Sequence, residues 1–462
     1  MRNQENKIFA NIDWTLFVIY IVLVLLGISN IYSSVYNPEK SNIFNLDTEH
    51  GKQIMWFGVS LFFGIVILFL ESNFIRKYAY WFYGFTMFLL VAVLFTPPIN
   101  GARSWFGFGS VGIQPSEFAK IGVALALSRF FDQAHSFSDR ASSFNKKVGL
   151  SNLWGMVPFI LKNKETALIL GIPCVLVLLQ PDAGTFIIFT SFILVLYREG
   201  YAGNMLLFMV IAIIIAVITL LVADSSFELP LTDIKLSGKA GIIITLVVLV
   251  GIFALLIKNF ILKRNRKSLY KSLFGSLLVA VIFVNFIEVG YSNILQSHQK
   301  VRIDLLLGKI DDPDGDGYNI NRAKAAIGSG GFIGKGYKQA TLANAHQKHV
   351  PMQSTDFIFC TWSEERGFIG SFLLVSLYTF LLLKIVVIAE RQRSHFTRVY
   401  AYCVGSIFFY HFLINVGMAI GLAPVIGIPL PFFSYGGSSM MSFSVLIFIL
   451  IKLDSERKIV LQ

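Results

Sequence analysis

An ionisable side chain inside an apolar stretch is costly and needs a partner, so such residues are the first candidates for chemistry. Asp356 stands in Ser354-Thr355-Asp356-Phe357, at the entry to a long apolar segment. Its bland role is to cap a helix start and meet the helix dipole. Its reactive role is to take a proton or to line a transport site. Glu364 follows about 12 Å further along a helix rising roughly 1.5 Å per residue, and Glu365 is turned about 100° from it. Two adjacent glutamates facing different ways cannot both meet lipid cheaply. At least one therefore faces a neighbouring helix or a cavity. Glu117 and Lys120, in Gln114-Pro115-Ser116-Glu117-Phe118-Ala119-Lys120, are three apart and can pair across one helical turn.

Broken backbone surrounds these groups. Asn100-Gly101-Ala102-Arg103-Ser104-Trp105 precedes the segment that carries Glu117. The stretch Pro424–Ser438, with Gly427, Pro429, Pro431, Ser434, Gly436 and Gly437, precedes the last apolar segment. At membrane depth such backbone survives only where protein or a wet cavity satisfies it. The pattern implies an outward-facing polar cavity holding Asp356, a few cations and a glycine-rich loop. That cavity suits proton abstraction beside an anionic leaving group. It suits a transport site equally well.

The elements that position these residues are membrane spans. The chain is 55% hydrophobic and 14% charged over 462 residues, with 44 Phe and a mean hydropathy of +0.67. A soluble domain carries about 25% charge. A soluble enzyme, a disordered chain and a disulfide scaffold are excluded, and lipid is the solvent for much of the surface. A spanning helix needs about 20 mostly apolar residues. About twelve segments qualify, near 13–33, 54–71, 78–97, 115–131, 165–180, 183–198, 204–223, 240–257, 272–289, 356–384, 399–421 and 434–453. The fold class expected is an all-α polytopic membrane protein, one domain over 1–462. Most of the 39 Lys and Arg fall on one side if both termini are cytoplasmic, as the positive-inside rule requires. The net charge of +12 is then mainly a topology signal, and the run Lys263–Lys267 is an anchor near anionic lipid rather than a nucleic-acid site. Residues 132–164 form a polar cytoplasmic loop. Residues 290–353 form a large external loop placed to shape a site at the outer face.

Several familiar motifs fail. Asp312-Pro-Asp314-Gly-Asp316-Gly317 copies half of a calcium loop, but Ala323 stands where a bidentate Glu is needed. A Walker A loop requires Gly at 329 and Ser or Thr at 336, where Ser329 and Gly336 stand. The run Gly328–Gly336 remains either a backbone phosphate cradle or a plain turn. His298, His346 and His349 lack metal-ligand spacing, and Cys174, Cys360 and Cys403 read as small apolar fillers.

Asn100–Trp105 with Gln114–Lys120, then Gln180-Pro-Asp-Ala-Gly184, Ala326–Gly336, Thr355-Asp-Phe-Ile-Phe359 with Glu364-Glu365-Arg-Gly367, and Pro424–Ser438 occur in that order. Together they resemble the SEDS family (shape, elongation, division and sporulation) along essentially the whole chain, and its elongation branch more than its division branch. The resemblance implies a peptidoglycan glycosyltransferase that polymerises lipid II into β-1,4 glycan strands at the outer face of the bacterial inner membrane. It implies Asp356 as the essential carboxylate and a class B penicillin-binding protein as partner. A divalent cation, magnesium or manganese, is associated with the activity; no organic cofactor is implied. In that chemistry Asp356 is the base for the acceptor hydroxyl. Arg302, Lys335, Arg103 and Lys120 are candidates to meet the leaving pyrophosphate, or Lys120 pairs with Asp356. Glu117 and Ser434 are further substrate-contact candidates, and Trp105 stacks on a sugar or closes the cavity. Glu364, Glu365, Pro429, Gly436 and Gly437 shape the cavity.

The chain departs from the family pattern in particular places. The family has ten spans, so an extra helix pair is expected within about 204–289. Pro351-Met352 replaces the usual Pro-Glu, Arg322-Ala323 the usual Gln-Ser, and Ala183 a Leu. The competing functions are a lipid II flippase and a non-catalytic scaffold of the wall machinery. A flippase places critical charges near the midplane and carries repeat symmetry. No internal repeat is evident, and the strongest site lies at one face.

Overall fold

The computed structural model describes residues 11–36, 45–98, 102–108, 111–138, 164–200, 205–222, 226–228, 235–294, 297–310, 316–343 and 352–457. It divides into two compact units, one built from 1–142, 165–195 and 312–462, the other from 143–164 and 196–311.

The first unit holds α1 (Trp14–Ser34), α2 (Glu49–Phe69), the short α3 (Ser72–Lys77), α4 (Ala79–Val93), the hairpin β1 (Phe106–Phe108) and β2 (Val111–Ile113), and α5 (Pro115–Ser138). After α6 (Lys164–Leu179) and α7 (Ala183–Thr190) the chain breaks briefly before α8 (Phe192–Arg198). The second unit contains α9 (Met205–Val222), the hairpin β3 (Ser226–Glu228) and β4 (Lys235–Ser237), α10 (Gly238–Phe260), α11 (Lys263–Val289), a π turn (Gly290–Ile294) and α12 (Ser297–Leu306). The chain returns to the first unit with α13 (Asp316–Ser329), α14 (Ile358–Glu390), α15 (His395–Ile420) and α16 (Gly437–Ser455).

Among the described residues seven helices are long and apolar enough to cross a membrane: α1, α2, α10, Arg266–Asn293, α14, α15 and α16. Ala79–Val93, Ala183–Arg198 and Met209–Val222 are shorter apolar helices. Each of the twelve expected segments meets a helix, including three within 204–289.

Local signals set the helix starts. Asp13 caps α1 by accepting the Leu16 N–H at 3.1 Å. Thr48 caps α2, Asp182 caps α7 and Ser237 caps α10, each through its side-chain oxygen. Helix α15 ends at Gly421, whose φ of 78° is the left-handed conformation glycine adopts without a Cβ penalty.

The core of the first unit lies where α5 packs on α4 and α15, α16 on α2, and α14 on α1, α13 and α15. Leu23, Leu127, Phe433, Leu446 and Phe448 are wholly or almost wholly buried there. In contrast, no residue of the most apolar window of α10 is buried, which is how a helix solvated by lipid looks.

Two expectations need correction. The segment 290–353 is not one loop: α12 and α13 lie within it, because Ser297–Leu306 and Asp316–Ser329 are uninterrupted by Pro and end at loop or Gly-rich positions. Asp316 and Ala323, from the motif that fails as a calcium loop, belong to helix α13, where Ala323 is buried; Asp312 and Asp314 lie outside the described residues. Residues 132–138 of the expected polar loop continue α5, and 139–163 lie outside the described residues. His346 and His349 also lie outside them. Cys360 and Cys403 are buried, whereas Cys174 is only partly so.

Candidate active site

Asp356 lies in the turn just before α14 and is half-buried. Its N–H donates to the Met352 carbonyl at 3.1 Å, and its own carbonyl accepts from Asn415 Nδ2 at 2.9 Å. The same Asn415 amide donates to the Ile428 carbonyl at 2.7 Å. A Cβ placed on Gly427, whose φ is 73°, would sit 3.4 Å from Asp356 Oδ2, so the Pro-rich stretch closes directly over the carboxylate.

Side chains satisfy the broken backbone of 424–438. His411 Nδ1 donates to the Pro429 carbonyl at 3.0 Å, and Tyr378 donates to the Pro431 carbonyl at 2.6 Å. Ser434 Oγ accepts from the Leu430 N–H at 2.9 Å and donates to the Thr355 carbonyl at 2.6 Å. Gln53 of α2 accepts from the Gly436 N–H at 3.1 Å and donates to the Ser434 carbonyl at 3.3 Å. Tyr435 N–H donates to the Ser354 carbonyl at 2.8 Å. These bonds fix α2, the turn 434–436, the segment 354–356 and α15 against one another.

A cleft of about 390 Å³ opens at this junction, lined by Lys52, Trp56, Trp105, Thr355, Tyr435, Gly436 and Gly437 among others. Gly437 gives the Trp56 indole its room, since a Cβ there would lie 2.4 Å from its Cε2. Gly112, paired with Gly107 across the β1–β2 hairpin, does the same for Trp105: a Cβ would lie 3.0 Å from the indole. Burial, with Glu49 nearby adding to it, holds the Tyr435 phenol above its usual pKa, so it stays a neutral donor at neutral pH.

Glu117 and Lys120 form the expected pair, and Lys120 is fully buried. Lys120 Nζ donates to Glu117 Oε2 at 2.8 Å and to His411 Nε2 at 2.9 Å, and lies 4.9 Å from the centre of the Phe443 ring. His411 is thus an acceptor at Nε2 and a donor at Nδ1, which links the pair to Pro429. The described partners of Lys120 are these protein groups, and at 0% exposure its ammonium does not present itself to a ligand. Glu117, 4% exposed, and Ser434, 3% exposed, likewise act on protein neighbours and not on an open surface.

Lys335 differs from expectation in the same way. Its ammonium donates to Glu364 Oε1 and to Thr341 Oγ1, both at 2.6 Å. The fully buried Glu364 also accepts the N–H groups of Thr341, Leu342 and Ala343, at 2.9, 3.0 and 2.7 Å. Glu365, turned away as helical geometry requires, meets Ser33 Oγ of α1, the Lys338 N–H at 3.0 Å and Arg366 at 3.2 Å. Both glutamates therefore face protein. The run Gly328–Gly336 is not a free phosphate cradle, because the Lys335 and Gly336 N–H groups donate to the Glu364 and Glu365 carbonyls at 3.0 and 2.9 Å.

Arg103 is exposed and donates to the Leu94 carbonyl at 3.3 Å. Arg302 stands on α12 in the second unit. Of the expected residues the structure brings together Asp356, Ser434, Trp105, Gly436 and Gly437. Sequence reasoning missed Lys52, Trp56, Tyr435, Gln53 and Asn415. Trp56 and Lys52 carry no motif; only their place in the first turns of α2, at the end where the broken segments gather, marks them. Among the described residues no three His, Cys, Asp or Glu side chains cluster to hold a metal ion, so no protein cage for a divalent cation is found there.

The chain is similar to known proteins along nearly its whole length. A peptidoglycan glycosyltransferase RodA of Treponema pallidum is 29% identical over 97% of this chain and 98% of its own length. A peptidoglycan glycosyltransferase MrdB of Escherichia coli K12 is 28% identical over 99% of this chain and 98% of its own. Among solved structures the fold matches a chain of a peptidoglycan synthase complex that coordinates polymerization and crosslinking, with a TM-score of 0.64, 23% identity and coverage of 97% and 99%. It also matches the rod shape determining protein RodA of Thermus thermophilus, with a TM-score of 0.53, 20% identity and the same coverage. The model of the cell cycle protein family of FtsW, RodA and SpoVE matches residues 13–231 and 268–459. With those residues covering most of its length, the chain belongs to that family.

Proposed function

We propose that the protein is a peptidoglycan glycosyltransferase that polymerises lipid II, with a class B penicillin-binding protein as partner and its active site at the outer face of the inner membrane. The observation that carries this reading is the position of Thr355-Asp356 beside a cleft with two indoles and a lysine in its wall. Asp356 accepts the proton of the acceptor sugar's 4-hydroxyl. The hydroxyl oxygen attacks the anomeric carbon of the donor, and the bond to undecaprenyl pyrophosphate breaks with its electron pair on the phosphate oxygen. A base must lie within hydrogen-bond reach of the proton it takes. The rigid attachment of residues 354–356 to α2, α15 and the turn 434–436 supports Asp356 in that role, since misplacement of a reacting group by about 1 Å is costly in rate. Trp56 and Trp105 offer faces on which sugar rings stack. No step is assigned to a divalent cation.

The test separates synthesis from transport. The purified protein with its partner is given lipid II in detergent, with crosslinking blocked by a β-lactam, and in parallel is reconstituted in vesicles carrying lipid II in one leaflet. Glycan polymer in detergent is the expected result. Leaflet exchange without polymer would replace this reading with the flippase.

A further inference from the structure

Lys52 is the one cation in the wall of the cleft. Among the described residues no hydrogen bond or ion pair engages its ammonium, in contrast to Lys120, Lys335, Lys384 and Arg391, each of which meets a carboxylate. It sits in the first turns of α2, where the helix dipole is already positive and a cation is disfavoured. Glu49, one turn earlier, forms no ion pair with it. A half-buried lysine in an unfavourable place, with no partner among the described residues, is expected where a ligand supplies the missing anion. Its neighbour Gln53 bonds the 434–436 turn, which holds this part of α2 beside Thr355. The cleft therefore joins a cation, two indole faces and the residue preceding Asp356.

We propose that Lys52 binds the diphosphate of a polyprenyl-linked sugar, with Trp56 and Trp105 flanking the attached sugar. The assignment rests on the polymerase reading above and adds to it the residue that receives the phosphates. It gives the phosphate-binding role that Lys335 and Lys120 do not fill to a residue of α2.

The experiment compares wild type, Lys52→Met and Lys52→Arg as full-length proteins in nanodiscs, with melting curves to confirm equal folding. Binding of lipid II, of inorganic pyrophosphate and of phosphatidylglycerol is measured by titration, and lipid II polymerisation is measured in parallel. A lost charge-assisted contact to phosphate predicts lipid II and pyrophosphate affinities lower by about tenfold or more in Lys52→Met, with KM rising more than kcat falls. Lys52→Arg, which keeps the charge, retains most of the affinity. Unchanged pyrophosphate and lipid II binding in a folded Lys52→Met overturns the proposal. A loss confined to phosphatidylglycerol also overturns it and makes Lys52 a bilayer contact. If wild type binds both phosphate probes, Lys52→Met does not, and no polymer forms, the Lys52 assignment stands and the polymerase reading falls.

Discussion

Glu364 occupies the seat that a phosphate takes in a glycine-rich anion nest. Three consecutive backbone N–H groups and the Lys335 ammonium converge on a carboxylate with no exposed surface. Breaking such a buried arrangement by removing one partner is strongly destabilising. Glu364→Ala is expected to lower stability by roughly 3 kcal/mol, whereas Lys335→Met leaves the three N–H donors in place and has a smaller effect. Melting curves of the detergent-solubilised protein check the order of the two. The reactive candidates at this scale were legible when the signal was local. The Glu117–Lys120 pair follows from its three-residue spacing on one helix. The partner of Lys335 was not legible, because it lies 29 residues away and only the folded turn brings it near. The contact of Lys120 with His411, 291 residues away, was hidden for the same reason.

At the scale of elements, one glycine lets a turn lock into a helix. Helix α14 breaks at Gly367, with φ 63° and ψ −160°. The turn 330–336 enters that break: Phe368 and Ile369 N–H groups bond the Gly331 and Phe332 carbonyls. A Cβ on Gly367 would lie 2.7 Å from the Ile333 carbonyl carbon and the Phe332 oxygen. Gly367→Ala is expected to cost at least about 2 kcal/mol through backbone strain and collision, seen as a lower melting temperature and faster cleavage of the 330–343 segment by protease. Remote from the cleft, Asp13 accepts from Lys384 at 3.0 Å and Arg391 at 2.7 Å, and Arg391 also bonds Asp454 Oδ1 at 2.9 Å, tying the ends of α1, α14 and α16. Burial pushes the Asp13 pKa up, but the bonds from Lys384, the Leu16 N–H and Arg391 outweigh it and hold it below the usual value. A lowered folded-state pKa stabilises above the unfolded value, near 3.9, and that contribution disappears as pH falls through the folded pKa. Asp13→Asn is therefore expected to lower the melting temperature at neutral pH, with the gap from wild type closing below about pH 4. The helices themselves were legible from apolar run length. The helices inside 290–353 were not, because helices as polar as Ser297–Leu306 and Asp316–Ser329 leave no such run.

At the scale of the molecule, the family model skips 232–267, which contains all of α10 and the start of α11. This is where the sequence suggested added helices, and the part of the chain the family shares excludes it. The exposed Lys239–Glu288 pair joins α10 to α11 at 2.5 Å. Such a pair contributes at most about 1 kcal/mol, so Lys239→Met is expected to leave glycan synthesis unchanged, measured as polymer formed per unit time. The candidate catalytic residues lie instead in the first unit, at the junction of α2, the turn 434–436 and the start of α14. There the carboxylate of Asp356 is the proposed base for the acceptor proton. The most direct measurement is the initial rate of glycan polymer formation from labelled lipid II by wild type and Asp356→Ala, each with its partner and a β-lactam present. Loss of polymer is expected in a variant that still folds and still binds lipid II; polymer formed by Asp356→Ala at the wild-type rate would contradict Asp356 as the base.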